Sequence, residues 1–293
     1  MLPPHGIIPP LVTPLTDSGT LDVSGFERLL AHVAQGGVDG VFVLGTTGEG
    51  PSLPGELKGE LVRRSTGAGL PVLVGLIEAS TDDALRLADA AANAGAAAVV
   101  LTPPFYFALT EGEVLGYLER VVPRLPLPVY LYNIPVFTKV RLEPQLVRAA
   151  AELPGVAGFK DSGGDVERLR EVRRLVPELP VWWGPEETLI EALDAGAVGG
   201  ITGGANFLPR VYVELVRAMR TGDRARVAEL GAIVERVGRE LYTIPGRAVG
   251  FLPGIKAALE VLGICGTTMA EPLGPLSAAE RERLSSAAKS LVF

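Results

Sequence analysis

Residues 156–162 read Val156-Ala157-Gly158-Phe159-Lys160-Asp161-Ser162. Four apolar or small residues follow one another without polar alternation, and the run then stops at a lysine and an aspartate. A strand buried on both faces reads this way, with its polar end marking the loop beyond it. The pattern recurs along the chain. Similar runs occupy residues 6–14, 40–45, 71–76, 96–102, 128–135, 180–184 and 198–205. Amphipathic stretches lie between them, at 22–35, 81–92, 111–124, 143–152, 165–175, 187–195 and 209–221. In the first of these Val23, Phe26, Leu29, Leu30 and Val33 share one helical face. Asp82 and Asp83 suit the first turn of the second. Gly36-Gly37 and Gly95 read as C-terminal stops.

A repeating strand–helix order implies a parallel sheet. Eight units predict closure into a (β/α)8 TIM barrel, with an open doubly wound sheet as the alternative. No G-x-G-x-x-G follows a run and no G-x-x-x-x-G-K-[ST] occurs, so nucleotide binding has no support. Beyond residue 222 the apolar runs cease. Residues 223–241, 254–262 and 277–291 read as helices. The expected organisation is a barrel catalytic domain over 1–222 and a C-terminal helical extension, 223–293, packed on it.

Composition narrows the function. The 293 residues are 47% hydrophobic, enough for one large core. Lys and Arg number 27 against 34 Asp and Glu, a net charge of −7. A mildly acidic chain without a basic cluster is not expected to bind nucleic acid. Cys265 is the sole cysteine, so no intrachain disulfide can form. Two histidines, His5 and His32, cannot build a His-rich metal site, and no metal or cofactor is expected. The start, Met1-Leu2-Pro3-Pro4-His5, lacks a signal-peptide pattern, and no apolar stretch is long enough to cross a membrane. The expectation is a cytoplasmic protein.

Active sites of such barrels sit at the C-terminal ends of the strands. Lys160 ends the sixth run, with Gly158 two positions earlier leaving space on the same face. Desolvation there lowers the amine's pKa and frees it to attack a carbonyl; pairing with Asp161 is the structural alternative. Tyr132 ends the fifth run as a candidate proton shuttle, or as a core tyrosine. Gly45-Thr46-Thr47-Gly48-Glu49 offers hydroxyls and a tight turn that could hold a carboxylate. Glu186 and Glu187 follow the seventh run, able to accept hydroxyls or to cap the next helix.

Together these segments resemble one family. Residues 40–49 (GVFVLGTTGE), 132–135 (YNIP) and 158–162 (GFKDS), with 102–106 (TPPFY) and 199–206 (GGITGGAN), are similar in order and separation to the dihydrodipicolinate synthase/N-acetylneuraminate lyase family. The resemblance covers essentially the whole chain. It implies that Lys160 forms an imine with pyruvate, that Tyr132 relays protons, and that Thr46 links Tyr132 to a second tyrosine, Tyr106, often across a subunit interface. It also implies that Thr47 and the N–H groups around Gly45 cradle the carboxylate, that Ile201 faces the site, and that the assembly is a homotetramer, a dimer of dimers.

Within the family, dihydrodipicolinate synthases usually carry an arginine at the position held here by Phe137. Its absence argues against aspartate semialdehyde as acceptor, because a guanidinium fork is hard to replace at a carboxylate. Glu186 falls where lyases of hydroxylated substrates hold sugar hydroxyls. The expected activity is therefore a class I aldolase that cleaves a 2-keto-3-deoxy or 4-hydroxy-2-keto acid to pyruvate and an aldehyde. The alternatives are 4-hydroxy-tetrahydrodipicolinate synthesis, a dehydratase using the same imine, and a non-catalytic keto-acid sensor.

Overall fold

In the computed structural model, which describes residues 5–292, every apolar run contributes a strand. These are β1 (Gly6–Ile7), β2 (Val41–Val43), β3 (Val72–Leu76), β4 (Ala98–Leu101), β5 (Val129–Asn133), β6 (Val156–Asp161), β7 (Val181–Trp183) and β8 (Gly199–Gly200). All paired neighbours are parallel, in the order β1-β8-β7-β6-β5-β4-β3-β2. Just past β1 the sheet closes on itself. Leu11 donates to the Phe42 carbonyl at 2.8 Å, and the Phe42 N–H donates to Pro9 at 2.9 Å. The fold is thus a (β/α)8 barrel. The part of the N-terminal reading that rests on residues 1–4 lies outside the described residues.

The helices are α1 (Val23–Gln35), α2 (Gly55–Thr66), α3 (Thr81–Asn93), α4 (Glu111–Val121), the single turn α5 (Pro135–Thr138), α6 (Pro144–Ala151), α7 (Val166–Leu175), α8 (Leu189–Asp194) and α9 (Pro209–Thr221). Then come α10 (Arg224–Val237), α11 (Phe251–Val261) and α12 (Ala278–Leu291). Local chemistry sets their ends. Asp22 accepts the Gly25 N–H at the start of α1, and Thr110 forms a capping box with Glu113 at the start of α4. Gly37 and Gly95 take positive φ just past α1 and α3.

Two runs pair over less of their length than their composition predicts. Run 6–14 gives a two-residue strand because Pro9, Pro10 and Pro14 have no N–H to donate. Run 198–205 leaves the sheet after Gly200 and turns into a short 3-10 segment, Gly203–Asn206. Helix α2 is an addition to the sequence reading. Its two glycines and five charged residues blur the apolar face, which Leu61 and Val62 nevertheless bury. Helix α10 continues into a π-helical turn, Gly238–Tyr242, instead of ending as a plain α-helix.

Alternate strand residues point to opposite sides. One set, including Ile8, Phe42, Leu73, Val100, Tyr130, Tyr132 and Trp182, fills the barrel interior. The other set, including Val41, Val43, Val74, Val99, Leu131, Phe159 and Trp183, packs against the surrounding helices. Leu230, Val234, Ile255, Leu259 and Ile264 of the C-terminal extension belong to that same outer cluster. Each such side chain contributes roughly 1.5–3 kcal/mol by burial, so the extension is held to the barrel by the same force that closes it. Among the described residues no helix is long and apolar enough to cross a membrane.

Candidate active site

Parallel register decides which polar ends meet. Tyr132 on β5 pairs with Lys160 on β6, and Lys160 pairs with Trp182 on β7. Tyr132 and Lys160 therefore point to the same interior side. Lys160 Nζ lies 3.9 Å from the centre of the Tyr132 ring and 4.5 Å from that of Phe42. The lysine is 3% exposed, and among the described residues it forms no ion pair. Burial holds its pKa below the ordinary lysine value, against an upward pull from Tyr132.

Asp161 is not the partner of Lys160. Its side chain points away from the barrel axis, where Oδ1 accepts from Asn133 Nδ2 and from the Gly163 N–H, both at 2.7 Å. Burial raises its pKa, opposed by those bonds and by Arg141. Asn133 in turn accepts the Leu142 N–H at 3.0 Å. This pair ties together the loops that follow β5 and β6. The role of Gly158 also differs from the sequence reading: the space it leaves is filled by the Tyr130 ring, against which any Cβ would collide.

Above Lys160 opens a cavity of about 490 Å³. Thr46, Thr47, Tyr132, Phe137, Lys160, Glu186 and Ile201 all line it. Thr46 Oγ1 is 3.5 Å from the Tyr132 hydroxyl. Thr47 is 7% exposed. Gly45 stands behind the turn, outside the lining; its carbonyl accepts the Gly50 N–H and the Phe42 ring occupies the place of a Cβ. Tyr106 is also outside the lining. It is 72% exposed and packs edge-on to Phe107. Phe137, 40% exposed, stands with Val136 at the cavity's edge.

Glu186 is drawn inward. Tyr212 and Tyr242 donate their hydroxyls to its two oxygens, and the Gly204 N–H reaches both at 3.1 and 3.2 Å. Burial pushes its pKa up to about 7, opposed by these three donors. Its acceptor capacity is thus largely used by the protein, and Glu187 lines the cavity beside it. The sequence reading passed over Ser162, Tyr242, Thr243 and Arg247, which also line the cavity. The last three come from the extension, and no local pattern marks them. Arg247 is engaged by Glu280 at 2.8 and 3.0 Å and by the Gly274 carbonyl at 2.9 Å. Among the described residues no group of three or more His, Cys, Asp and Glu side chains is placed to hold a metal ion.

The site can do amine chemistry on a carbonyl. It holds a desolvated lysine, a phenol within reach of a threonine hydroxyl, and a hydroxyl-bearing turn able to accept an anion. Comparison with known proteins points the same way. The chain is 32% identical to the 4-hydroxy-tetrahydrodipicolinate synthase of Methylococcus capsulatus, over 97% of each chain. A solved dihydrodipicolinate synthase from Bacteroides thetaiotaomicron superposes with a TM-score of 0.94 at 40% identity, covering 99% of each chain. YagE of Escherichia coli, described as a member of the dihydrodipicolinic acid synthase family and solved with pyruvate, gives 0.91 at 31% identity over 98% of each chain. The sequence model of the dihydrodipicolinate synthetase family matches residues 3–291. With that match over nearly its full length, the chain belongs to the dihydrodipicolinate synthetase family.

Proposed function

We propose that the protein is a class I, pyruvate-dependent lyase that cleaves a 2-keto-3-deoxy or 4-hydroxy-2-keto acid to pyruvate and an aldehyde. The observation that carries this reading is Lys160: buried, without a counter-ion among the described residues, and set against Tyr132 at the floor of the cavity. The neutral amine adds to the C2 carbonyl, and loss of water leaves a protonated imine. Removal of the C4 hydroxyl proton breaks the C3–C4 bond, and its electron pair moves into the imine to give the enamine of pyruvate. The aldehyde departs, C3 takes a proton, and water releases pyruvate and the free amine. Tyr132, next to Thr46, carries the protons; Thr47 and its neighbouring N–H groups hold the carboxylate.

Phe137 in place of a cation favours an acceptor without a second carboxylate. YagE, provisionally named a 2-dehydro-3-deoxy-D-gluconate aldolase, supports the same direction. Synthesis from aspartate semialdehyde is the second reading, favoured by the 40% identity to the Bacteroides thetaiotaomicron synthase. In this proposal the protein works in the cytoplasm as a homotetramer. Tyr106 and Phe107, 72% and 70% exposed, and an apolar cavity of about 300 Å³ beside Thr46 support a subunit contact in which a partner's Tyr106 completes the relay.

The test is incubation with pyruvate and borohydride followed by intact-mass and peptide analysis. A reduced pyruvyl adduct on Lys160 is expected. Absence of an adduct, or an adduct on another lysine, refutes the reading.

A further inference from the structure

Away from Lys160, the molecule holds an ion pair sealed from solvent at both ends. The side chains of Glu49 and Lys256 are each 0% exposed, and Glu49 Oε1 lies 2.5 Å from Lys256 Nζ. Lys256 also donates to the Thr268 carbonyl at 2.6 Å, and Glu49 Oε2 accepts the Ala270 N–H at 2.6 Å. Burial drives the pKa of Lys256 down, against the pull of Glu49. Apolar side chains of similar volume often stabilise such a place as well or better than a charged pair. Stability is therefore a weak reason for the pair to be there, and its location suggests another.

Glu49 closes the turn that presents Thr46 and Thr47. Its N–H donates to the Thr46 carbonyl at 3.0 Å. Leu44 and Glu49, at φ 59° and 57°, are non-glycine residues in the left-handed region, one on each side of that turn. Such conformations persist only where the surroundings hold them. One hold comes from the barrel: Thr13 Oγ1 donates to the Gly48 carbonyl at 2.7 Å. The other comes wholly from the C-terminal extension, through Lys256 on α11 and Ala270 in the segment beyond it.

We propose that the Glu49–Lys256 pair is a positioning device through which the C-terminal extension clamps the Thr46–Thr47 turn at the distance from Lys160 that a keto-acid carboxylate requires. The inference rests on the functional reading above, in which that turn holds the carboxylate. Neither residue lines the cavity over Lys160, so both act through Thr46 and Thr47. The barrel alone then supplies the nucleophile, and the extension supplies the accuracy of the anion site.

The full-length double variant Glu49→Gln/Lys256→Met tests this, since it leaves no unpaired buried charge and keeps an acceptor for Ala270. Three quantities are measured: the pyruvate concentration for half-maximal borohydride trapping, the limiting trapping rate, and hydrogen exchange over residues 44–50. The half-saturating concentration should rise about tenfold or more while the limiting rate changes by less than about threefold. Exchange over the segment should quicken. Unchanged half-saturation overturns the proposal, with or without faster exchange, because the pair then serves folding only. Should the double variant not fold, Glu49→Gln alone gives the same readout, because Lys256 can lose its proton in place. A wild type that forms no adduct overturns the functional reading instead, and unchanged exchange over residues 44–50 then overturns the clamp on its own.

Discussion

Lys160 and Tyr132 face each other in register on adjacent strands, with the ammonium nitrogen 3.9 Å from the centre of the phenol ring. Neither residue is near the other in sequence. The parallel ladder brings them together, and among the described residues no carboxylate pairs with the lysine. The amine is left in a dry place with only a weak hold on its proton.

Lys160→Met should abolish adduct formation and turnover while the fold survives. It should also change how stability depends on pH. The lysine pKa is lowered in the folded state, so between that lowered value and the ordinary 10.5 the unfolded chain binds more protons and stability rises with pH. The substitution removes that contribution. Urea unfolding of both proteins from pH 6 up to about 10.5 should show the variant gaining most at the acid end. A constant gap across this range would contradict the desolvated lysine.

Tyr132→Phe keeps the ring over Lys160 and deletes the hydroxyl beside Thr46. Loss of a positioned proton carrier costs on the order of 10²–10⁴-fold in rate. Turnover should drop by that amount, whereas slow borohydride trapping on Lys160 persists. Turnover within tenfold of wild type would remove Tyr132 from the relay.

Phe137→Arg places a guanidinium at the edge of the cavity. Relative kcat/KM should move toward aspartate semialdehyde over an uncharged aldehyde, by about tenfold or more. Steady-state kinetics with the two acceptors measures it. If the wild type already condenses aspartate semialdehyde more efficiently than any uncharged aldehyde, the synthase reading replaces the aldolase one.

Glu186 carries a different pH signature. Its pKa is raised from the usual 4.5 to about 7, so the folded state keeps a proton that the unfolded state has lost. Stability should fall as pH rises through that window, by roughly 3 kcal/mol at most. Glu186→Gln retains an acceptor for Gly204 and should flatten this slope. Denaturant unfolding at pH 5 and pH 8 compares the two, and identical slopes would show that the carboxyl is ionised throughout.

The sequence carried the architecture because buried parallel strands have no polar face to hide. Near-continuous apolar runs spaced by amphipathic helices survive in the one-dimensional record, as does a lysine that abruptly ends one of them. The misreadings have equally local causes. Prolines cut the first strand to Gly6–Ile7 without changing its apolar character, and α2 buries its face with few apolar side chains. Gly158 was visibly small, but that its space belongs to Tyr130 depends on the neighbouring strand.

Sequence by itself determined the eight buried strands and, save α2, the long helices between them, the absence of an intrachain disulfide, and which polar residues stand at strand ends, because each follows from composition and period along the chain. Only the tertiary structure decided which of those residues meet. It turned Asp161 outward to Asn133, drew Glu186 into the hands of Tyr212 and Tyr242, and buried Lys256 on Glu49 from more than 200 positions away. Those pairings depend on strand register and on how the extension packs, and both are set by the closing of the whole barrel rather than by any local stretch of chain.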